Sequence, residues 1–391
     1  MATGAGSIFL SILALKYYLS PDDYGRFSGL ITLTMITSAI GLLSYEQSML
    51  RLSRISDHNT LVLPSRTIET AILIAVSTSA ASSLLYTYFF DHTSSTWKIF
   101  IICTTLSMAL FTSSLHRLCS NFTNSQIILH SWKIIFLVSI AFILYTKGKI
   151  DYQLIETTLF LSCLVGLCSA AFSIRGKIAS SVLRVKTAPF TISFLGSTAI
   201  IVAINNFDKF AVGKLISNEE LGNYFYTATI YTYPFLIISS FIGLTQLVAF
   251  KREYSANTLK RQIGLALTAT PLMLLAYAGL STYIVSIITP EHTQDYVLIA
   301  IFLAISTARI VYALISSAMG AVGLSKTVLI ANIVFIISSA PVLVLLMQFP
   351  TNTHTIAITV LGLLILRSLF YFVFLARQAD EKNTQTSALR S

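Results

Sequence analysis

Five basic side chains fall inside, or at the rims of, long apolar runs: Lys16, Lys133, Lys209, Arg309 and Arg367. An ionisable group at mid-bilayer costs about 2.5–3.5 kcal/mol on insertion scales, so one that stays there usually serves a purpose. Arg309 and Arg367 lie near the middle of their runs with no acid close by in sequence. Lys133 lies toward one end of its run, Lys16 and Lys209 toward the opposite face. Cations at several depths are what an anion needs while it crosses. The plainer alternative is snorkelling or local pairing, and Lys209 has Asp208 beside it. Three acids, Asp208, Glu46 and Glu156, are candidates for coupling to an ion gradient; the plainer alternative is a capping or paired acid near a rim. His116 and His130 read as interfacial groups. Tyr224, Tyr226, Tyr231 and Tyr233 read as belt or packing residues whose rings would also suit sugars. Gly320–Lys326 is not a phosphate-binding loop, and no nucleophile triad or metal-ligand cluster appears, so catalysis, a metal and a cofactor are not expected.

The elements that position these groups follow from composition. The chain has 391 residues, 55% apolar and 11% charged, with a mean hydropathy of +0.77. A soluble domain carries about 25% charged residues. A soluble enzyme, a disordered chain and a coiled coil are therefore excluded, and the solvent of most of this chain is lipid. The four cysteines, Cys103, Cys119, Cys163 and Cys168, lie in or beside apolar runs and read as small core residues.

Apolar stretches of spanning length, about 20 residues, recur throughout. Twelve are expected, near 2–19, 29–50, 68–90, 98–117, 126–146, 153–173, 189–210, 222–248, 262–288, 294–317, 327–348 and 353–375. The longest connections are 51–67 and 174–188. The net charge of +10 concentrates on one side of this arrangement, in Arg51/Arg54/Arg66, Arg175/Lys177/Arg184/Lys186, Lys251/Arg252/Lys260/Arg261 and Arg377/Lys382/Arg390. The other side holds Arg26, Lys98, Lys147, Lys149 and Lys214. By the positive-inside bias both termini are expected in the cytoplasm. The charge is then topological, and a nucleic-acid partner is not expected. The first apolar run reads as a span rather than a cleaved signal peptide.

One pattern occurs twice. Leu19-Ser20-Pro21-Asp22-Asp23-Tyr24-Gly25-Arg26-Phe27 matches Ile216-Ser217-Asn218-Glu219-Glu220-Leu221-Gly222-Asn223-Tyr224 at an offset of 197 residues. Ser20 and Ser217 can cap the following helix, with Asp23 or Glu220 three residues on. The acids suit the helix dipole, Pro21 suits the first helical position, and the glycines allow close backbone approach. Two helix starts built independently from the same rules would look similar, but the matching glycine, aromatic residue and half-chain position favour a true repeat. Six spans per half predict two six-helix bundles, 1–180 and 181–391, with a substrate site between them, as in many transporters. By the offset, helix 1 is either shorter than helix 7 or begins upstream of Met1.

These two motifs carry a resemblance. "LSPDDYGRF", together with Asn206-Phe207-Asp208-Lys209-Phe210-Ala211-Val212-Gly213-Lys214-Leu215-Ile216-Ser217 and the Glu219-Glu220-Leu221-Gly222-Asn223-Tyr224 that follows, resembles signatures of bacterial polysaccharide exporters. The chain resembles Wzx-type O-antigen flippases of the MATE-like polysaccharide transporter superfamily. The resemblance implies an all-α polytopic membrane protein with two pseudo-two-fold-related bundles in the bacterial inner membrane. It implies alternating-access movement of an undecaprenyl-diphosphate-linked oligosaccharide between leaflets, in lipopolysaccharide biosynthesis. It further implies contact with membrane lipids, and an O-antigen polymerase and a chain-length regulator as protein partners.

Two other classes compete. A MATE-like drug or cation antiporter would favour buried acids over basic residues. A membrane enzyme, such as an O-antigen polymerase or glycosyltransferase, would be expected to carry a large external loop, which the span pattern lacks.

Overall fold

The computed structural model describes residues 2–46, 49, 54–55, 61–63, 66–90, 95–119, 121–174, 178–180, 188–288, 294–348 and 352–388. Among them are twelve helices: α1 (Ala2–Tyr18), α2 (Pro21–Ile40), α3 (Thr67–Phe89), α4 (Thr96–Leu118), α5 (Phe122–Lys147), α6 (Tyr152–Ile174), α7 (Ala188–Leu215), α8 (Asn218–Arg252), α9 (Ala256–Ile288), α10 (Tyr296–Val322), α11 (Ser325–Gln348) and α12 (Thr353–Ala388). Eight of them, α3, α4, α5 and α8 to α12, are long and apolar enough to cross a membrane. Their outer faces are greasy: Leu265, Leu272, Leu275 and Tyr283 of α9 are each more than 60% exposed. In water such surfaces would drive association; in lipid they are simply solvated. The protein is a polytopic helical membrane protein.

The helix starts obey local chemistry. Ser20 caps α2 in an extended conformation and its hydroxyl accepts from the Asp23 N–H at 3.2 Å, with Pro21 in the first turn. Ser217 caps α8 in the same way, accepting from the Glu220 N–H at 3.1 Å. The repeated motif therefore builds the same helix start twice.

One expectation needs correction. Helix 2 does not run unbroken from 29 to 50. It begins at Pro21 and ends at Ile40, and Leu43 (φ 49°) and Ser44 (φ 61°) then adopt left-handed conformations. Gly41 permits this turn, because a Cβ there would overlap the Ser107 hydroxyl. Thr78 Oγ1 donates to the Gly41 carbonyl at 2.6 Å, satisfying one of the groups the break frees. The fold is all-helical in class, as expected, with one small sheet beside the helices. Three short strands, β1 (Arg54–Ile55), β2 (Leu61–Leu63) and β3 (Ile178–Ser180), form a sheet in the order β1-β2-β3. β1 runs antiparallel to β2 and β2 parallel to β3, pairing Arg54 with Val62 and Leu61 with Ile178. The two longest connections thus pair with each other.

The chain divides into two compact units, Met1–Phe225 and Tyr226–Ser391. In the first, α4 packs against α2, α3, α5 and α6. It tolerates burial because its hydroxyls are satisfied nearby: Ser107 and Ser114 donate to the carbonyls of Cys103 and Leu110, and Ser113 bonds Ser125 at 2.8 Å. α7 packs on α2 and α3, so it belongs with the first unit, and the division falls within α8 rather than near 180. In the second unit α10 packs against α9 and α12, and α12 against α11. Pro234, Pro271 and Pro341 lie inside α8, α9 and α11. Cys103 and Cys163 are buried; Cys168 is exposed, unlike a core residue.

Candidate functional site

In the first unit the two motif copies lie against each other. A Cβ on Gly25 would overlap the Asn218 carbonyl, and one on Gly222 would sit 3.0 Å from the Tyr24 ring and 3.2 Å from the Gly25 nitrogen. Here α2 and α8 cross with backbones in contact, which only residues without a Cβ allow.

Charged groups gather around this crossing. Lys16, in the last turn of α1, donates to Asn223 Oδ1 at 2.7 Å and lies 5.1 Å from the centre of the Tyr24 ring. Asp208 of α7 is buried. It receives Lys209 Nζ at 2.9 Å, the Lys209 N–H at 3.0 Å and the Tyr224 hydroxyl at 3.0 Å. The motif residues Asn223 and Tyr224, adjacent in α8, therefore serve Lys16 and Asp208 respectively. The Asp208–Lys209 pair is formed.

The remaining candidates lie apart from this cluster. Glu156 of α6 is buried and faces Lys98 Nζ at 3.6 Å, which also donates to Thr157 Oγ1 at 3.2 Å. Glu46 is buried just beyond the break after α2. Lys133 of α5 is half-buried, its ammonium 5.5 Å from the Trp132 ring centre. His116 is buried, and His130 packs against Gly4 of α1.

In the second unit Arg309 lies on the buried face of α10. Arg367 of α12 has no exposed surface. Its Nε donates to Tyr312 at 2.9 Å and one terminal nitrogen to Tyr371 at 3.0 Å and Asn332 Oδ1 at 3.5 Å. Tyr371 in turn donates to Asn332 Oδ1 at 2.9 Å. The rings of Tyr312, Phe335 and Tyr371 stand 5.1–5.5 Å from the guanidinium carbon. The cation is enclosed by aromatic faces and neutral acceptors. Sequence reasoning identified Arg367 but missed the cage. One signal was present, since Tyr371 follows Arg367 by one helical turn; Tyr312 and Asn332 left none. Of the tyrosines opening α8, Tyr224, Tyr226 and Tyr231 are buried, and Tyr231 bonds Thr282 at 2.9 Å.

The buried ionisable groups are thus segregated among the described residues. The carboxylates Glu46, Glu156 and Asp208 belong to the first unit, and the guanidiniums Arg309 and Arg367 to the second. No family model, no curated protein and no solved structure matches the chain.

Proposed function

We propose that this protein is a flippase that moves a polyprenyl-diphosphate-linked oligosaccharide across the bacterial inner membrane by alternating access. The observation that carries the reading is the contact between the two motif copies at Gly25 and Gly222. Equivalent segments of a true repeat meet at a symmetry axis, and repeat transporters place their moving halves about such an axis. In this reading the chain forms two MATE-like bundles with both termini in the cytoplasm. Arg309 offers positive charge to the diphosphate, and Lys16, Lys133 and Lys209 offer further cations along the path. Asp208, Glu46 and Glu156 are the ion-coupling groups. The substrate is the lipid-linked sugar, the neighbouring proteins are an O-antigen polymerase and a chain-length regulator, and the protein performs no covalent chemistry.

Complementation tests this directly. Expression in a flippase-null strain is expected to restore surface O-antigen, and Arg309→Ala is expected to lower it at unchanged protein level. The segregation of buried carboxylates into the first unit favours one rival, a MATE-like drug or cation antiporter. No restored O-antigen together with increased tolerance of cationic drugs would establish the rival instead.

A further inference from the structure

One cavity belongs to neither candidate cluster. It is a groove of about 810 Å³ in the second unit, within the range of small-molecule sites. α10 packs against both α9 and α12, and the groove lies between those two helices with α10 as its floor. The floor is low because Ala300, Ala304 and Ala308 recur every fourth residue, placing one methyl group per turn on a single face. The walls are leucine, isoleucine and phenylalanine side chains. Two hydroxyls line it, but both are already used: Thr307 donates to the Leu303 carbonyl at 3.1 Å and Ser368 to the Leu364 carbonyl at 2.8 Å. The interior therefore offers a ligand no free hydroxyl donor.

One end is different. Lys260, in the first turns of α9, lines the groove and has no acidic partner among the described residues. Lys251, Arg252 and Arg261 are exposed beside it, against the single acid Glu253. From Ile263 to Leu275 the α9 wall rises about 18 Å at 1.5 Å per residue, close to the half-thickness of a ~30 Å hydrocarbon core. A dry channel one leaflet deep, with cations at its mouth, matches a molecule with a long apolar chain and an anionic head.

We propose that this groove holds a resident acidic glycerophospholipid, its acyl chain along Ala300, Ala304 and Ala308 and its phosphate at Lys260. A basic residue near the surface contributes about 1 kcal/mol toward an acidic lipid, or roughly fivefold in affinity. The site is independent of the transport reading, since it requires only that the second unit sit in a bilayer.

The test uses the full-length protein in detergent, observed by native mass spectrometry with dipalmitoyl phosphatidylglycerol, dipalmitoyl phosphatidylethanolamine or a polyprenyl phosphate. Phosphatidylglycerol is expected to be retained about fivefold more than phosphatidylethanolamine, and Lys260→Gln, a change at an exposed position, is expected to erase that preference. A tail-labelled photoreactive phosphatidylglycerol is expected to cross-link to α9, α10 or α12, and Ala304→Trp to abolish that cross-link. If Ala304→Trp does not fold, the cross-link map and Lys260→Gln still decide. Unchanged preference in Lys260→Gln, cross-links confined to other helices, or displacement of phosphatidylglycerol by equimolar polyprenyl phosphate would each overturn the proposal.

Discussion

Gly25 and Asn218 meet backbone to backbone: a Cβ at Gly25 would overlap the Asn218 carbonyl oxygen, so the crossing of α2 and α8 admits no side chain there. Overpacking a tight contact typically costs about 1–3 kcal/mol. Gly25→Ala is expected to cost at least the upper part of that range, because the opposing atom is backbone and cannot rotate away. Gly222→Ala should cost less, since its first neighbour is the edge of the Tyr24 ring. Gly6→Ala is the control: nothing lies within 4 Å, and alanine improves the helix by about 0.5–1 kcal/mol. Thermal unfolding in detergent is expected to rank the melting temperatures Gly6→Ala, Gly222→Ala, Gly25→Ala from highest to lowest.

The Arg367 guanidinium is already engaged by Tyr312, Tyr371 and Asn332. Tyr371→Phe removes one acceptor from the buried guanidinium and one donor from Asn332. A hydrogen bond to a charged group contributes about 1.5–3 kcal/mol, and a loss of that size is expected in the melting curve. Arg367→Ala is expected to reduce the amount of folded protein recovered by size exclusion. Arg309→Ala is expected to leave that amount unchanged. Equal yields of both variants would show that the cage contributes nothing to folding.

Asp208 and Lys209 form a buried pair, and removing one partner strands the other. Asp208→Asn is expected to cost about 3 kcal/mol, the lower end of values for a broken buried pair. The double change Asp208→Asn with Lys209→Met removes both charges and is expected to recover most of that loss. A double variant no more stable than the single one would show that the two side chains are not energetically coupled.

Asp295, the N-cap of α10, accepts from the Leu298 N–H at 3.0 Å and faces His354 Nε2 at 2.7 Å. Burial raises its pKa, but the Leu298 and Val297 N–H groups and His354 outweigh this and hold the carboxyl below its usual 3.8. A depressed folded-state pKa means that the stabilisation is present above the ordinary aspartate value and is lost as pH falls through the lowered one. His354→Ala is therefore expected to melt below the wild type at neutral pH, with the gap closing as pH falls below about 3.8. A gap that stays constant down to pH 2 would contradict this assignment.

The sequence by itself determined where most of the helices lie. An apolar run in lipid must satisfy its own backbone, so run and helix coincide, as with 153–173 and the observed Tyr152–Ile174. It also determined the starts of α2 and α8, because a serine cap and its N–H partner are three residues apart and need nothing else. The Asp208–Lys209 pair was legible for the same reason. Only the tertiary structure decided what each buried charge faces. Arg367 meets Tyr312, 55 residues away, and Asn332, 35 away, and no local rule relates those positions. The break after Ile40 depends on Thr78 and Ser107 reaching Gly41 from other helices, and the small sheet depends on two loops more than a hundred residues apart. Helix formation in a membrane is a short-range requirement of the backbone, whereas the face a helix turns to its neighbour is settled by packing among side chains distant in the chain.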